Sequence, residues 1–147
     1  MANISKLTKK RLGELLIEEG LINPKEIEVA ILGNHGLVIS SPGELKLAKD
    51  FYGYDDKYNL GEAKAVVPAE ISKKQAKEIR KLAEKVYKLC DCSGFARIDF
   101  FISKSKIYLN EINTIPGFTD ISMYPMLMIN KGLNYKQLLN KIIDLAY

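Results

Sequence analysis

The sequence predicts an α+β fold in which a mainly antiparallel sheet is flanked by helices, and two observations lead to this class. Strand signals cluster at residues 26–40 and 94–113, where β-branched and aromatic residues are dense. Long amphipathic segments lie between and after these clusters, at residues 72–89 and 134–146. Separate groups of strands and helices of this kind pack as a sheet with helices on its faces.

Size and composition favour one globular domain and exclude several other classes. The chain has 147 residues, 47% of them hydrophobic, which argues against disorder. Its net charge of +4 suits a phosphate site but is weak evidence for nucleic acid. Neither a secretory signal nor a membrane-length apolar run is apparent. We read Cys90 and Cys92 as reduced thiols and predict a cytoplasmic protein with no nucleic-acid or membrane partner.

The N-terminal part of the chain predicts one helix and one hairpin. A helix capped by Ser5 or Thr8 and ended by Gly20 is expected within residues 1–25, which we set apart as a separate segment. An apolar run at residues 26–33 and a second one at residues 37–40 flank a turn sequence, which is typical of a hairpin.

The remaining elements follow from hydrophobic period and capping residues. Residues 41–68 have no regular pattern, and long irregular loops are often functional. A helix at 71–89 has a plausible N-cap in Ser72. A short helix is expected at 122–129, and a last amphipathic helix at 135–146 is expected to cover the sheet.

The hairpin at residues 94–102 and 106–113 contains the candidate site. Alternation along the first strand places Arg97, Asp99 and Phe101 on one face. Glu111 and Asn113 share a face of the second strand. The two sets lie on the same face of the sheet if the turn has an odd number of residues.

Two carboxylates at close range repel each other, and a divalent cation removes that repulsion. Asp99, Glu111 and Asn113 would give Mg²⁺ an incomplete oxygen shell that substrate phosphates complete. Arg97 could meet a phosphate or a developing oxyanion. The alternative is a solvated polar face on which Arg97 simply pairs with Asp99 or Glu111, and the spacing leaves both interpretations open.

Two runs, residues 94–99 and 110–119, resemble the C-terminal lobe of D-alanine–D-alanine ligases, which belong to the ATP-grasp superfamily. The resemblance extends from about Glu26 to the C-terminus as one ATP-grasp lobe, and residues 1–25 do not resemble the family. Members join two D-alanines through an acyl phosphate in peptidoglycan precursor synthesis, converting ATP to ADP and phosphate.

The resemblance implies a role for each of several residues. Asp99, Glu111 and Asn113 would hold Mg²⁺ or Mn²⁺ against the ATP phosphates. Arg97 and the backbone amide of Gly117 would stabilise the tetrahedral oxyanion. The expected nucleotide-binding residues are Glu26, Lys57 and Phe101, and those at the second D-alanine are Tyr58, Ser122 and Met123.

The family also has an N-terminal substrate domain and a central lobe with a glycine-rich phosphate loop, and no such loop occurs in this chain. We therefore expect the isolated chain to bind metal and ATP weakly and to lack catalysis. A homodimer or a partner chain carrying the missing lobes is one alternative. Others are a Mg²⁺- or nucleotide-binding module without turnover, and a fold-only fragment of natural or engineered origin.

Overall fold

A computed structural model describes residues 25–46 and 64–147. The strands are β1 Lys25–Leu32, β2 Val38–Ile39, β3 Gly43–Lys46, β4 Lys64–Val66, β5 Phe95–Ser103 and β6 Lys106–Asn113, and the helices are α1 Lys73–Leu89, α2 Met123–Asn130 and α3 Tyr135–Asp144. The predicted N-terminal helix and most of the loop predicted at 41–68 lie outside the described residues. No helix within the described ranges is long and apolar enough to cross a lipid bilayer.

The sheet confirms the predicted class. Its strand order is β4-β3-β1-β5-β6, and β2 pairs with the C-terminal end of β1. Every pair is antiparallel. The predicted hairpin turn between β1 and β2 is confirmed. Gly33 has φ +128°, and a Cβ there would lie 2.5 Å from the Gly36 carbonyl oxygen, so only glycine fits this turn.

One face of the sheet packs against α1 with a continuous apolar core. Alternate residues of β1 and β5 point toward this helix, as the strand period requires. The fully or nearly fully buried members of this core are Ile27, Val29, Ile31, Ile79, Ala83, Tyr87, Ala96, Ile98, Phe100 and Ile102.

The other face is divided along its length between an apolar end and a polar end. Helices α2 and α3 cover Ala30, Leu32 and Phe95 with their own apolar side chains. The residues of β1 and β5 on the same face beyond this cover include Glu28 and Asp99. The helices thus stop where the candidate site begins.

The prediction that residues 41–68 are irregular is wrong in part, because β3 and β4 lie inside that range. Gly, Glu and Lys give β3 little strand propensity, so its sequence carried no signal. The strand forms by pairing with β1 at Glu26, Ile27 and Glu28. Gly43 allows α2 to approach, since a Cβ there would lie 2.8 Å from Leu127 Cδ2.

Helix α1 is capped at both ends. The Ser72 hydroxyl accepts from the Gln75 backbone N–H, and the Gln75 side chain accepts in return from the Ser72 N–H, a capping box. At the C-terminus the N–H of Cys92 donates to Tyr87 O and that of Asp91 donates to Lys88 O. These two bonds form a Schellman motif, with Asp91 at the left-handed position at φ 50°.

Asp91→Gly is expected to raise the free energy of unfolding by about 1 kcal/mol. Glycine relieves the left-handed strain, and the change removes a negative charge from the negative end of the helix dipole. Urea unfolding monitored by circular dichroism measures the change. Asp91→Ala is the control, since it removes the charge but keeps the strain; an equal gain from alanine would contradict the conformational explanation.

Candidate functional site

The β5–β6 hairpin aligns the predicted site residues through a bulge. Its turn has two residues, Lys104 and Ser105, both with positive φ, so the odd-numbered turn that the sequence analysis required is absent. With an unbroken ladder, Asn110 would have faced Asp99. Instead Phe100 pairs with Leu109 and Asp99 pairs with Glu111, which leaves Asn110 as the extra residue of a β-bulge.

This one-residue shift places the predicted polar residues on a common face. Asp99 lies directly opposite Glu111, and Arg97 lies opposite Asn113. Side chains in such opposed positions are close enough to interact. The structure thus brings these four residues together, although the bulge, and not the odd-numbered turn on which the prediction depended, produces the grouping.

Asp99 is fully engaged by protein donors. Arg97 donates from Nε to Asp99 Oδ1 and from Nη2 to Asp99 Oδ2, both at 2.8 Å. Asn113 Nδ2 donates to the same Oδ2 at 2.9 Å. Asp99 is completely buried, so these charge-assisted bonds replace its water shell.

A third carboxylate, Glu28, joins the cluster from β1. It pairs with Asp99 in the sheet register, so the row across three strands reads Glu28, Asp99, Glu111. Glu28 is 4% exposed, and its Oε2 lies 2.9 Å from Arg97 Nε. That Oε2 accepts no hydrogen bond, because the single Nε–H of Arg97 is donated to Asp99.

Glu28 was not predicted as a site residue. The available signal was an acid that interrupts an otherwise apolar strand two residues after Glu26. Because the strand period is two, those two acids share a face. The register between β1 and β5, which brings Glu28 against Asp99, could not be read from the chain alone.

Burial sets the electrostatics of this row. Burial, followed by the charge of Asp99, raises the pKa of Glu28 to about 8, against the lowering effect of Arg97. Burial also raises the pKa of Asp99, against the hydrogen bonds and charge of Arg97. The charged form of each carboxyl is thus disfavoured, and added positive charge would favour it.

The donor set fits a hard divalent cation. Asp99 and Glu111 offer carboxylates and Asn113 an amide oxygen, the ligands that Mg²⁺ prefers. Among residues 25–46 and 64–147, no three His, Cys, Asp or Glu side chains are grouped so that they could hold an ion. The shell is therefore incomplete, as in sites where water and substrate phosphates supply the remaining ligands.

The predicted nucleotide-binding residues lie beside this cluster where the structure describes them. Glu26 and Phe101 are register partners on β1 and β5, two residues along from Glu28 and Asp99 on the same face. Phe101 is 9% exposed and pairs with Tyr108 on its other side. Lys57 and Tyr58 fall outside the described residues.

The other predicted residues lie between β6 and α2, at Gly117 and Ser122, and at the first residue of α2, Met123. A Cβ at Gly117 would lie 2.9 Å from Ser122 Oγ, so the backbone passes close to this serine. Ser122 Oγ accepts from the Thr119 N–H at 2.9 Å. The Met123 side chain packs in the core under α2, so a ligand contact from Met123 would have to come from its backbone.

Comparison with known proteins identifies relatives of nearly the whole chain. The family model described as "D-ala D-ala ligase C-terminus" matches residues 2–144, so the match begins before Glu26 and includes the segment that the sequence analysis set apart. The D-alanine–D-alanine ligase of Caldicellulosiruptor bescii is 47% identical over 135 residues, which is 90% of this chain and 37% of that protein. The Chlorobaculum tepidum ligase is 50% identical over 130 residues, 87% of this chain and 36% of that protein.

Solved structures of ligases also match this chain. The VanG D-Ala:D-Ser ligase from Enterococcus faecalis superposes with a TM-score of 0.74 at 41% identity, over 86% of this chain and 37% of that one. The D-alanine–D-alanine ligase from Coxiella burnetii gives a TM-score of 0.71 at 39% identity, over 85% and 32%. The chain thus spans about a third of the length of these relatives.

Proposed function

The chain belongs to the D-ala D-ala ligase C-terminus family, and from this we propose that it is the catalytic C-terminal lobe of an ATP-dependent ligase that joins two D-alanines. The observation that carries the proposal is the pair of cross-strand register positions, Asp99 opposite Glu111 and Arg97 opposite Asn113, on one face of the sheet. The two carboxylates and the amide suit a divalent metal ion, and the guanidinium suits a phosphate or an oxyanion.

Each group of residues has a distinct role in this proposal. Asp99, Glu111 and Asn113 would hold Mg²⁺ or Mn²⁺, which when bound neutralises charge on the ATP phosphates. Arg97 and the Gly117 N–H would donate to the oxyanion that develops when the amine attacks. The groups proposed at the nucleotide are Glu26, Lys57 and Phe101, and those at the second D-alanine are Tyr58, Ser122 and Met123.

We further propose that this chain alone does not turn over, and that ligation in the cytoplasm contributes to peptidoglycan precursors. Holding an acyl phosphate and an amine in attack geometry is worth about 7–11 kcal/mol. Arg97 can stabilise an oxyanion only where one is held. The chain corresponds to 37% of the C. bescii ligase, whose remaining length would position the first substrate and the nucleotide.

A chimera tests the proposal. In the C. bescii ligase, residues 2–144 of this chain replace the matching part, and phosphate release is measured with D-alanine alone and with added D-serine. We expect D-alanine-dependent release, and a loss of about 10²-fold in kcat in Arg97→Ala because an oxyanion donor is removed. The isolated chain should show no release above background.

Glu44→Gln is the matched control for the chimera. Glu44 is a buried carboxylate paired with Lys25 at 3.0 Å, on the face of the sheet opposite Asp99. This change should leave kcat within about twofold of the parent chimera. A folded chimera without ligation, or one indifferent to Arg97→Ala, would contradict the proposed function, and turnover by the isolated chain would contradict its proposed inactivity.

A further inference from the structure

We propose that Glu28 is a positioning residue that holds Arg97 at the site when Asp99 binds the metal ion. The inference rests on the proposed function of this site, because it requires an ion at Asp99. Glu28 is a buried acid that has none of the roles proposed above for the site residues.

Arg97 and the proposed metal ion would bind the same carboxylate, Asp99. Both of its carboxylate oxygens accept hydrogen bonds from Arg97, and one also accepts from Asn113. These bonds occupy three of the about four lone-pair sites of the carboxylate. An ion at Asp99 would compete with the positively charged guanidinium for the same two oxygens, so we expect Arg97 to give up at least one of its two bonds.

After that loss, Arg97 would need another acceptor. Its side chain is 18% exposed, and a largely buried Nε–H left without an acceptor is costly. Arg97 must also stay near the reacting atoms if it is to stabilise an oxyanion. A second acceptor within reach of Nε satisfies both requirements.

Glu28 provides that acceptor in the structure. Its Oε2 already lies 2.9 Å from Arg97 Nε, and it is buried without a hydrogen bond. Unsatisfied buried acceptors are rare and call for an explanation. A small reorientation that turns the Nε–H from Asp99 to Glu28 satisfies this oxygen and frees Asp99 Oδ1.

The test is a double-mutant cycle of Mn²⁺ affinity on the full chain, measured by electron paramagnetic resonance of free Mn²⁺. Glu28→Gln should weaken Mn²⁺ binding about tenfold, a typical coupling for residues in one network. In an Arg97→Ala background the same change should alter affinity less than about twofold, because no guanidinium is left to hold. Glu44→Gln, which removes a buried carboxylate away from the site, should also have an effect below about twofold.

A nuclear magnetic resonance readout follows Arg97 directly. On addition of Mg²⁺, the Arg97 Nε–Hε signal should shift yet stay visible in the unsubstituted chain. In Glu28→Gln it should broaden or disappear, since a neutral amide oxygen is a much weaker acceptor for a guanidinium than a carboxylate. A merely structural role for Glu28 would not make the Arg97 signal depend on Mg²⁺.

Different failures have different meanings. If Glu28→Gln weakens Mn²⁺ binding tenfold even in the Arg97→Ala background, Glu28 acts as a ligand or as a distant charge. If Glu28→Gln does not weaken Mn²⁺ binding at all, Glu28 has no role in metal binding. Either result overturns this inference and leaves the proposed function standing. Mn²⁺ binding that survives Asp99→Asn would place the ion elsewhere. That result would overturn both this inference and the proposed metal site.

Discussion

At pH 8.5, Glu28→Gln is expected to raise the free energy of unfolding of the metal-free protein by about 3–4 kcal/mol, and near pH 4.5 by well under about 1 kcal/mol. The physical reason is the burial of an acid whose ionised form is poorly compensated. Burial and the charge of Asp99 raise the pKa of Glu28 from 4.5 to about 8 in the folded protein. Glutamine keeps the shape of the side chain and cannot ionise.

The sign follows from proton binding in the two states. Below pH 4.5 both states carry the proton on Glu28, so its titration does not affect stability. Between pH 4.5 and about 8 the unfolded chain has lost the proton and the folded protein retains it, so each unit of pH lowers wild-type stability by about 1.4 kcal/mol. Above about pH 8 both states have lost the proton, so the loss of wild-type stability no longer grows with pH.

The groups that face Glu28 set the size of this effect. Asp99, Glu26 and Glu111 raise its pKa, and Arg97 lowers it. Asp99 also has a raised pKa, and the two carboxyls titrate together. The expected gain in the free energy of unfolding is therefore smaller than the full pKa shift of Glu28 would give. A divalent ion would add positive charge, so the experiment is performed in a chelator.

Urea unfolding at pH 4.5, 6.5 and 8.5 measures the difference between variant and wild type. Glu44→Gln serves as the control, because Lys25 and the Glu70 N–H both use this buried carboxylate. It should lower stability at all three pH values. A gain from Glu28→Gln that did not grow with pH would contradict a raised pKa as its cause.

Elements whose signals are local were predictable from the sequence. Helix α1 was predicted because its apolar period and the N-cap residue Ser72 agree. The β5–β6 hairpin was found because strand-forming residues flank a short polar turn. The two-residue strand period predicted that Arg97 and Asp99 share a face of β5, and that Glu111 and Asn113 share a face of β6.

Features that depend on distant pairing were not predictable. Glu28 becomes part of the site only through the register of β1 against β5, which no local pattern encodes. Strand β3 exists because β1 offers it a partner edge, against the propensity of its own residues. The bulge at Asn110 has no distinctive sequence, since the residue left unpaired is not a glycine.

Tyr124→Ala is expected to lower the free energy of unfolding by about 3–5 kcal/mol, the usual cost of deleting a fully buried aromatic ring. The Tyr124 ring is completely buried and packs at 5.5 Å from the ring of Phe95 and 5.6 Å from that of Phe118. Its hydroxyl donates to Ile31 O on β1 at 3.1 Å. Tyr124→Phe keeps the ring and loses only this bond, so it should cost about 1 kcal/mol.

The same ring connects the core to the candidate site. Phe118 directly follows Gly117, and its carbonyl accepts from the Tyr135 hydroxyl at 3.1 Å, so the segment before α2 is held from two sides. Removing the Tyr124 ring takes away the apolar support and should shift the Gly117 and Thr119 amide resonances, whereas Tyr124→Phe should leave them nearly unchanged. Urea unfolding and ¹⁵N spectra measure both effects. Equal costs for the alanine and phenylalanine variants would mean that the ring supports neither the core nor the segment that positions the Gly117 N–H.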